Sequence, residues 1–215
     1  PVLRQLNIWP EYVVCSNGAM LLKRDPLADD GYVKHYIETF NPEKVLKLIK
    51  GHLPDGKYAV EDEHGNYYFT EPLPGVDPTL MAHQVDFDGL LNLQATRVVV
   101  VSPDHDTEDF LQVVERIGLK QVSYSIGWAA WLDIAPEGVS KASALEKVRE
   151  ALGFPRSRIF AAGDGNNDIQ MIEWAAELGR GVAMGNAEPE IKEVANEVCG
   201  NVQDLGLLEA LNKLP

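Results

Sequence analysis

The residues best equipped for chemistry lie together in Gly163-Asp164-Gly165-Asn166-Asn167-Asp168. Two carboxylates, Asp164 and Asp168, share this turn with the amides of Asn166 and Asn167. Hard oxygen ligands of this kind suit Mg²⁺, which proteins hold with one or two carboxylates while waters and substrate phosphate complete the octahedron. A plainer reading makes Asp164 a turn residue and Asp168 a helix cap. The neighbouring polar positions decide between them. Lys141 stands at the start of a helix, in Pro136-Glu137-Gly138-Val139-Ser140-Lys141. A cation there adds charge where the helix dipole is already positive, a poor surface choice but a good way to hold phosphate. Ser16-Asn17-Gly18 offers a hydroxyl, an amide and a flexible backbone after an apolar run, and Gly185-Asn186-Ala187 is a further polar strand end.

The elements that must position these groups follow from periodicity and punctuation. Ile159 to Ala162 is a short apolar run ending in glycine, and Ile169, Met171, Ile172 and Ala175 resume at helical spacing, so the acidic turn joins a strand to a helix. Tyr12-Val13-Val14-Cys15 reads as a strand before the Ser16 turn. Met20 to Leu22 and Tyr32 to Ile37 read as two more. Asn41-Pro42-Glu43 opens a helix bearing Val45, Leu46, Leu48 and Ile49. Tyr58 to Glu61 and Tyr67 to Thr70 flank His64-Gly65-Asn66, a hairpin signal. Arg97 to Ser102 is a strand, Thr107 to Gly118 a helix, and Val122 to Ile126 with Ala130 to Ile134 complete a β-rich group. Helix and strand then alternate, from a helix over Lys141 to Leu152 through to Leu207–Leu214. That alternation is the mark of a parallel α/β sheet. The predicted architecture is an α/β core, residues 1–40 and 137–215, interrupted by an α+β unit over residues 41–136.

Composition narrows the function classes. The 215 residues are 45% hydrophobic, enough for a substantial core. With 19 Lys and Arg against 33 Asp and Glu the formal charge is −14, which argues against nucleic acid and anionic membrane as partners. No apolar run reaches the length of a membrane span. The two cysteines lack metal-ligand spacing and suggest a reducing compartment; the expected location is cytoplasmic. Nothing in the sequence fixes an oligomeric state.

The acidic turn with Met171, preceded by Gly138-Val139-Ser140-Lys141 and followed by Val182-Ala183-Met184-Gly185-Asn186-Ala187, resembles haloacid dehalogenase superfamily phosphatases. Within them it is similar to the Cof-type, or type IIB, hydrolases, whose early turn Ser16-Asn17-Gly18-Ala19 also resembles. The resemblance implies a Rossmann-like core with a type C2B cap supplied by the inserted unit. It implies Mg²⁺-dependent hydrolysis of small, sugar-phosphate-like metabolites through an aspartyl-phosphate. Lys141 would hold the phosphate and Asp164 would bind Mg²⁺ directly. Asp168 would act as catalytic ligand or as a carboxylate orienting bound water. Asn167, Ser16, Asn17 and Gly18 would meet the substrate.

The same resemblance implies a buried strand running into Asp-x-Asp ahead of Ser16, and nothing from Pro1 to Tyr12 fits it. A following strand ending in Ser or Thr is missing too. Two internal look-alikes are refused: Asp86-Phe87-Asp88 follows no buried strand, and Asp104-His105-Asp106 reads as a helix cap. The chain is therefore expected to lack turnover by itself. The strands at Val13 and Ile159 are expected to carry unpaired edges where two strands would lie in the family's fold. The alternative class is a catalytically inactive phosphometabolite- or metal-binding relative. A module that docks partners through Trp128 and Trp131 has weaker support.

Overall fold

The computed structural model describes residues 2–74, 76, 83–120, 122–126 and 130–214. The chain opens with a short helix, α1 (Val2–Leu6), then an antiparallel meander of β1 (Tyr12–Cys15), β2 (Met20–Arg24) and β3 (Tyr32–Ile37). The links Ser16–Ala19 and Asp25–Gly31 are too short for a parallel crossover, so hairpins are the available connection. The parallel sheet is thus confined to the C-terminal part, a refinement of the expected core.

Helix α2 (Glu43–His52) begins where the Asn41 side chain accepts the Glu43 amide at 2.8 Å, and buries Val45, Leu46 and Ile49. The expected hairpin is β4 (Lys57–Asp62) with β5 (Tyr67–Phe69). There follow β6 (His83–Gln84), α3 (Phe87–Leu91), β7 (Ala95–Val101), α4 (Thr107–Ile117), β8 (Val122–Ile126) and β9 (Trp131–Pro136). They build a six-stranded sheet in the order β6-β5-β4-β7-β9-β8. Strand alternation gives this sheet two different faces. Tyr58, Val60, Val98, Val100, Leu132 and Ile134 face α2, α3 and α4, forming the largest core of the chain. On the other face the register aligns Glu61 with Tyr67 and Arg97, and Val99 with Asp133, a polar stripe beside the apolar Ala59, Phe69, Val99 and Val101.

The remainder alternates as expected: α5 (Lys141–Leu152), β10 (Phe160–Gly163), α6 (Ile169–Ala176), β11 (Arg180–Ala183), α7 (Pro189–Val194), β12 (Glu197–Val198) and α8 (Gly206–Leu211). Strands β10, β11 and β12 are parallel. Helix α6 lies against them through Ile172, which packs with Ala183 and Ile191. Its start is displaced from Asp168 because Asn166–Asp168 form a 3₁₀ turn first. Neither α1 nor the two-residue β12 carries a sequence signal long enough to read.

Among the described residues β1 pairs with β2 and β10 with β11, but β1 and β10 do not pair with each other. A cleft of about 400 Å³ lies against β1, lined by the apolar Val14, Cys15, Leu145 and Met171 and by the polar Ser16, Asn17, Arg97 and Lys141. Both refused carboxylate pairs are helix caps: Asp86 accepts the Gly89 amide ahead of α3, and Asp106 the Asp109 amide ahead of α4.

Candidate functional site

Three polar turns are joined by hydrogen bonds, and the first of them lines the cleft. The first follows β1, where Ser16 and Asn17 take φ of 51° and 52°, left-handed values unusual for residues with a Cβ, and Gly18 takes 109°. Gly18 is required there. A Cβ on it would lie 2.2 Å from the Ser140 carbonyl oxygen, so only glycine lets the turn abut the start of α5. That contact sets Asn17 beside Lys141. The α5 terminus is fixed in turn by a reciprocal cap, in which Ser140 Oγ accepts the Ser143 amide at 3.2 Å and Ser143 Oγ accepts the Ser140 amide at 2.9 Å.

The second turn is the acidic one after β10. Asp168 is buried, and both its oxygens are engaged. Oδ1 accepts Lys141 Nζ at 2.6 Å, and Oδ2 accepts the amides of Asp164 at 3.2 Å and Gly165 at 3.1 Å. Asp168 therefore does two things at once: it shapes the turn and aims the lysine. The Lys141 side chain is 28% exposed and lines the cleft. Asn167 Nδ2 donates to Asn17 Oδ1 at 3.0 Å, joining the first and second turns. The third turn, after β11, supplies Asn186, whose Nδ2 donates to Asp164 Oδ2 at 2.8 Å. Lys141, Asp168, Asn167, Asn17 and Asp164 are thus brought to one place. Ser16 is turned away from them, its hydroxyl donated to Glu61 of the six-stranded sheet at 2.7 Å.

The site can offer a hard cation one open ligand. Asp164 Oδ1 has no protein hydrogen bond among the described residues, whereas the oxygens of Asp168 are committed. No group of three or more His, Cys, Asp or Glu side chains suited to a metal gathers among the described residues. This donor set suits Mg²⁺, which keeps waters and substrate oxygens, better than an ion that needs an all-protein cage.

The polar stripe of the six-stranded sheet covers the opposite wall, and periodicity alone gave no reason to select its residues. Arg97 Nε donates to Asp133 Oδ1 at 2.6 Å and Nη1 to Tyr67 Oη at 3.2 Å; Trp131 Nε1 donates to Asp133 Oδ2 at 3.1 Å. Glu61 accepts Tyr67 Oη at 2.9 Å. Burial works against the Arg97 charge, but Asp133 beside it more than restores it, so the guanidinium stays charged. Burial pushes the Tyr67 phenol up to about 12, with Arg97 opposing and Glu61 assisting, so Tyr67 is a neutral donor at ordinary pH. The Cys15 thiol is pushed up by burial and then by the Glu61 carboxylate, so it remains a thiol, a poor nucleophile.

Of the aromatic residues on this unit, Tyr67 joins the polar stripe through Glu61 and Arg97. Tyr58 is buried with its hydroxyl on the Leu53 carbonyl, and Tyr68 stacks on His83. His64 sits at the hairpin turn near Lys34. Trp128 lies outside the described residues.

Comparison with known proteins identifies the family. The chain is 30% identical over 178 residues to the 5-amino-6-(5-phospho-D-ribitylamino)uracil phosphatase YitU of Bacillus subtilis, covering 82% of this chain and 62% of that protein. It is 41% identical over 101 residues to the pyridoxal phosphate phosphatase YbhA of Escherichia coli, covering 44% of this chain and 36% of that one. The chain therefore spans less than two thirds of the length of these relatives. Among solved structures, the HAD subclass IIB sugar phosphatase BT4131 superposes with a TM-score of 0.75 at 20% identity, over 98% of this chain and 78% of that one. It carries the same fold. The model of the haloacid dehalogenase-like hydrolases matches residues 1–211, and the chain belongs to that family.

Proposed function

We propose that this chain carries the phosphate- and metal-binding part of a Mg²⁺-dependent phosphatase of small phosphorylated metabolites, with residues 41–136 as its cap. The observation that carries the reading is the Lys141–Asp168 pair at 2.6 Å, with Asn167 bonded to Asn17 and both Lys141 and Asn17 lining a cleft shared with Arg97 of the polar sheet face. A buried carboxylate that fixes a lysine while leaving it open to a cleft is a poor way to stabilise a fold and a good way to preorganise a cation.

In this reading Lys141 and the amide groups of Asn17 and Asn167 hold the phosphoryl oxygens, and the helix dipole of α5 adds to the field. Asp168 keeps Lys141 in place. Asp164 would hold Mg²⁺ through its open oxygen, with Asn186 fixing the other. When bound, the ion neutralises charge building on the transferred group. The cap face excludes water and meets the leaving group through Arg97, Tyr67 and Asp133.

None of the carboxylates at the described site is placed to attack phosphorus. Asp168 serves Lys141, Asp133 serves Arg97 and Trp131, Glu61 serves Ser16 and Tyr67, and Asp164, held by Asn186 through one oxygen, keeps the other for the ion. The aspartate that would form the covalent intermediate is thus not among them, and these 215 residues by themselves bind without turning over.

The relatives' printed activities, on a ribitylamino phosphate and on pyridoxal phosphate, support a small organic phosphate as substrate. The test uses the natural full-length protein and p-nitrophenyl phosphate. Activity requires Mg²⁺, is removed by chelation, and falls in Asp164→Asn by more than about 100-fold at ordinary Mg²⁺. Full activity in that variant contradicts the assignment of Asp164.

A further inference from the structure

The mechanism above leaves one buried charge without a task. Glu61 is 8% exposed on strand β4, across the cleft from the phosphate turn. It spends one oxygen on Ser16 at 2.7 Å and the other on Tyr67 at 2.9 Å. A carboxylate that reaches out of one unit to hold a hydroxyl of another is costly to bury unless the contact matters.

The residue it holds is itself unusual. Ser16 and Asn17 are consecutive non-glycine residues with left-handed backbones, at φ of 51° and 52°, followed by Gly18 at 109°. Such a run is disfavoured by its own sterics and persists only where its surroundings over-determine it. Three contacts do so. Gly18 is pressed against Ser140, Asn17 is tied to Asn167, and Ser16 is tied to Glu61. The first two lie within the core. Only the third comes from the six-stranded unit.

We propose that Glu61 is a positioning residue: through Ser16 it holds the Ser16-Asn17-Gly18 turn in the conformation that presents Asn17 to the phosphate. Closure of the cap then does more than cover the substrate. It completes the binding turn, because the acceptor that fixes Ser16 arrives with β4. Further bonds between the same units, among them Asn166 Nδ2 to the Ile126 carbonyl at 2.8 Å, Lys34 Nζ to the Glu63 carbonyl at 2.8 Å and the paired backbone bonds of Phe40 and Ala95, hold the units together without touching this turn. The role of Asn17 at the phosphate rests on the function proposed above; the coupling of Glu61 to the turn does not.

The reporter is the Ala19 amide, which donates to the Ser16 carbonyl at 3.1 Å and is lost if the turn relaxes. Hydrogen exchange at Ala19 should rise by at least about tenfold in Glu61→Ala and in Ser16→Ala, while β4 and β7 keep their protection. The double variant should exchange no faster than either single one, since both remove the same bond. Glu61→Gln, which keeps an acceptor for Ser16, should retain most of the protection. Orthophosphate affinity, measured by calorimetry, should fall in the same order. Unchanged exchange at Ala19 in Glu61→Ala overturns the proposal. So does exchange that rises equally through β4 and β7, which would make Glu61 a general support of the sheet, and so does additivity in the double variant. If the wild type binds no orthophosphate, the phosphate reading fails, and the Ala19 rates still decide the coupling.

Discussion

At the scale of single residues, the site is built from side chains that hold one another. Lys141 is aimed by Asp168, which is shaped into place by two backbone amides of the acidic turn. Removing the lysine and removing the carboxylate should therefore differ. Lys141→Ala deletes a partly exposed cation and leaves Asp168 two amide donors, so kcat/KM of the full-length protein should drop by on the order of 100-fold or more with a small change in Tm. Asp168→Ala strands a half-buried ammonium and two amides at once, so it should cost on the order of 3 kcal/mol of stability as well as activity. Urea unfolding beside steady-state kinetics separates the two, and an equal loss of stability in both variants would contradict this division of labour. Asp168 was legible in the sequence because it stands in a polar turn after an apolar run, where a surface loop does not need it, and Lys141 because a cation at a helix start is a poor surface choice. Glu61, Arg97 and Asp133 were not. In their strands they occupy the alternate positions that ordinarily face water, and only the fold of the six-stranded sheet onto the Ser16 turn makes them a buried network.

At the scale of elements, chain-local signals carried furthest. Helix α5 runs over Lys141–Leu152 as its cap and its closing glycine predict, and β8 over Val122–Ile126 as its apolar pattern does. Boundaries shifted where a second conformation intervenes, as at the 3₁₀ turn ahead of α6. Pairing was less legible, because a short apolar run does not state its partner: β1 joins the β2–β3 meander, while β10 joins β11 and β12. The site depends on this second sheet meeting its helix closely. A Cβ on Gly181 of β11 would lie 2.1 Å from the Ile172 carbonyl oxygen of α6. Gly181→Ala should push that helix off the strand, with an overpacking cost of about 1–3 kcal/mol in urea unfolding. The displacement should also spread to the acidic turn at the head of α6. An unaltered unfolding midpoint would show that the contact is softer than the geometry implies.

At the scale of the whole molecule, a strongly acidic chain places two of its 19 Lys and Arg side chains on the cleft. The formal charge is −14, yet Lys141 and Arg97 line the same cavity, one from each side. Each has a carboxylate partner behind it, so the cavity is polar without being strongly anionic. An anionic substrate can enter there, and a metal ion bound at Asp164 would ease its approach to the acidic surface. The rest of the cavity's lining is apolar, formed by Val14, Cys15, Leu145 and Met171. The central claim is that these 215 residues contain the phosphate grip but not the attacking group. Its most direct test is one titration on one preparation: orthophosphate into the 215-residue chain with Mg²⁺, followed by p-nitrophenyl phosphate turnover. The account predicts saturable orthophosphate binding that disappears in Lys141→Ala, and no turnover above background. Binding indifferent to Lys141, or turnover abolished by Asp86→Asn or Asp104→Asn, would contradict it.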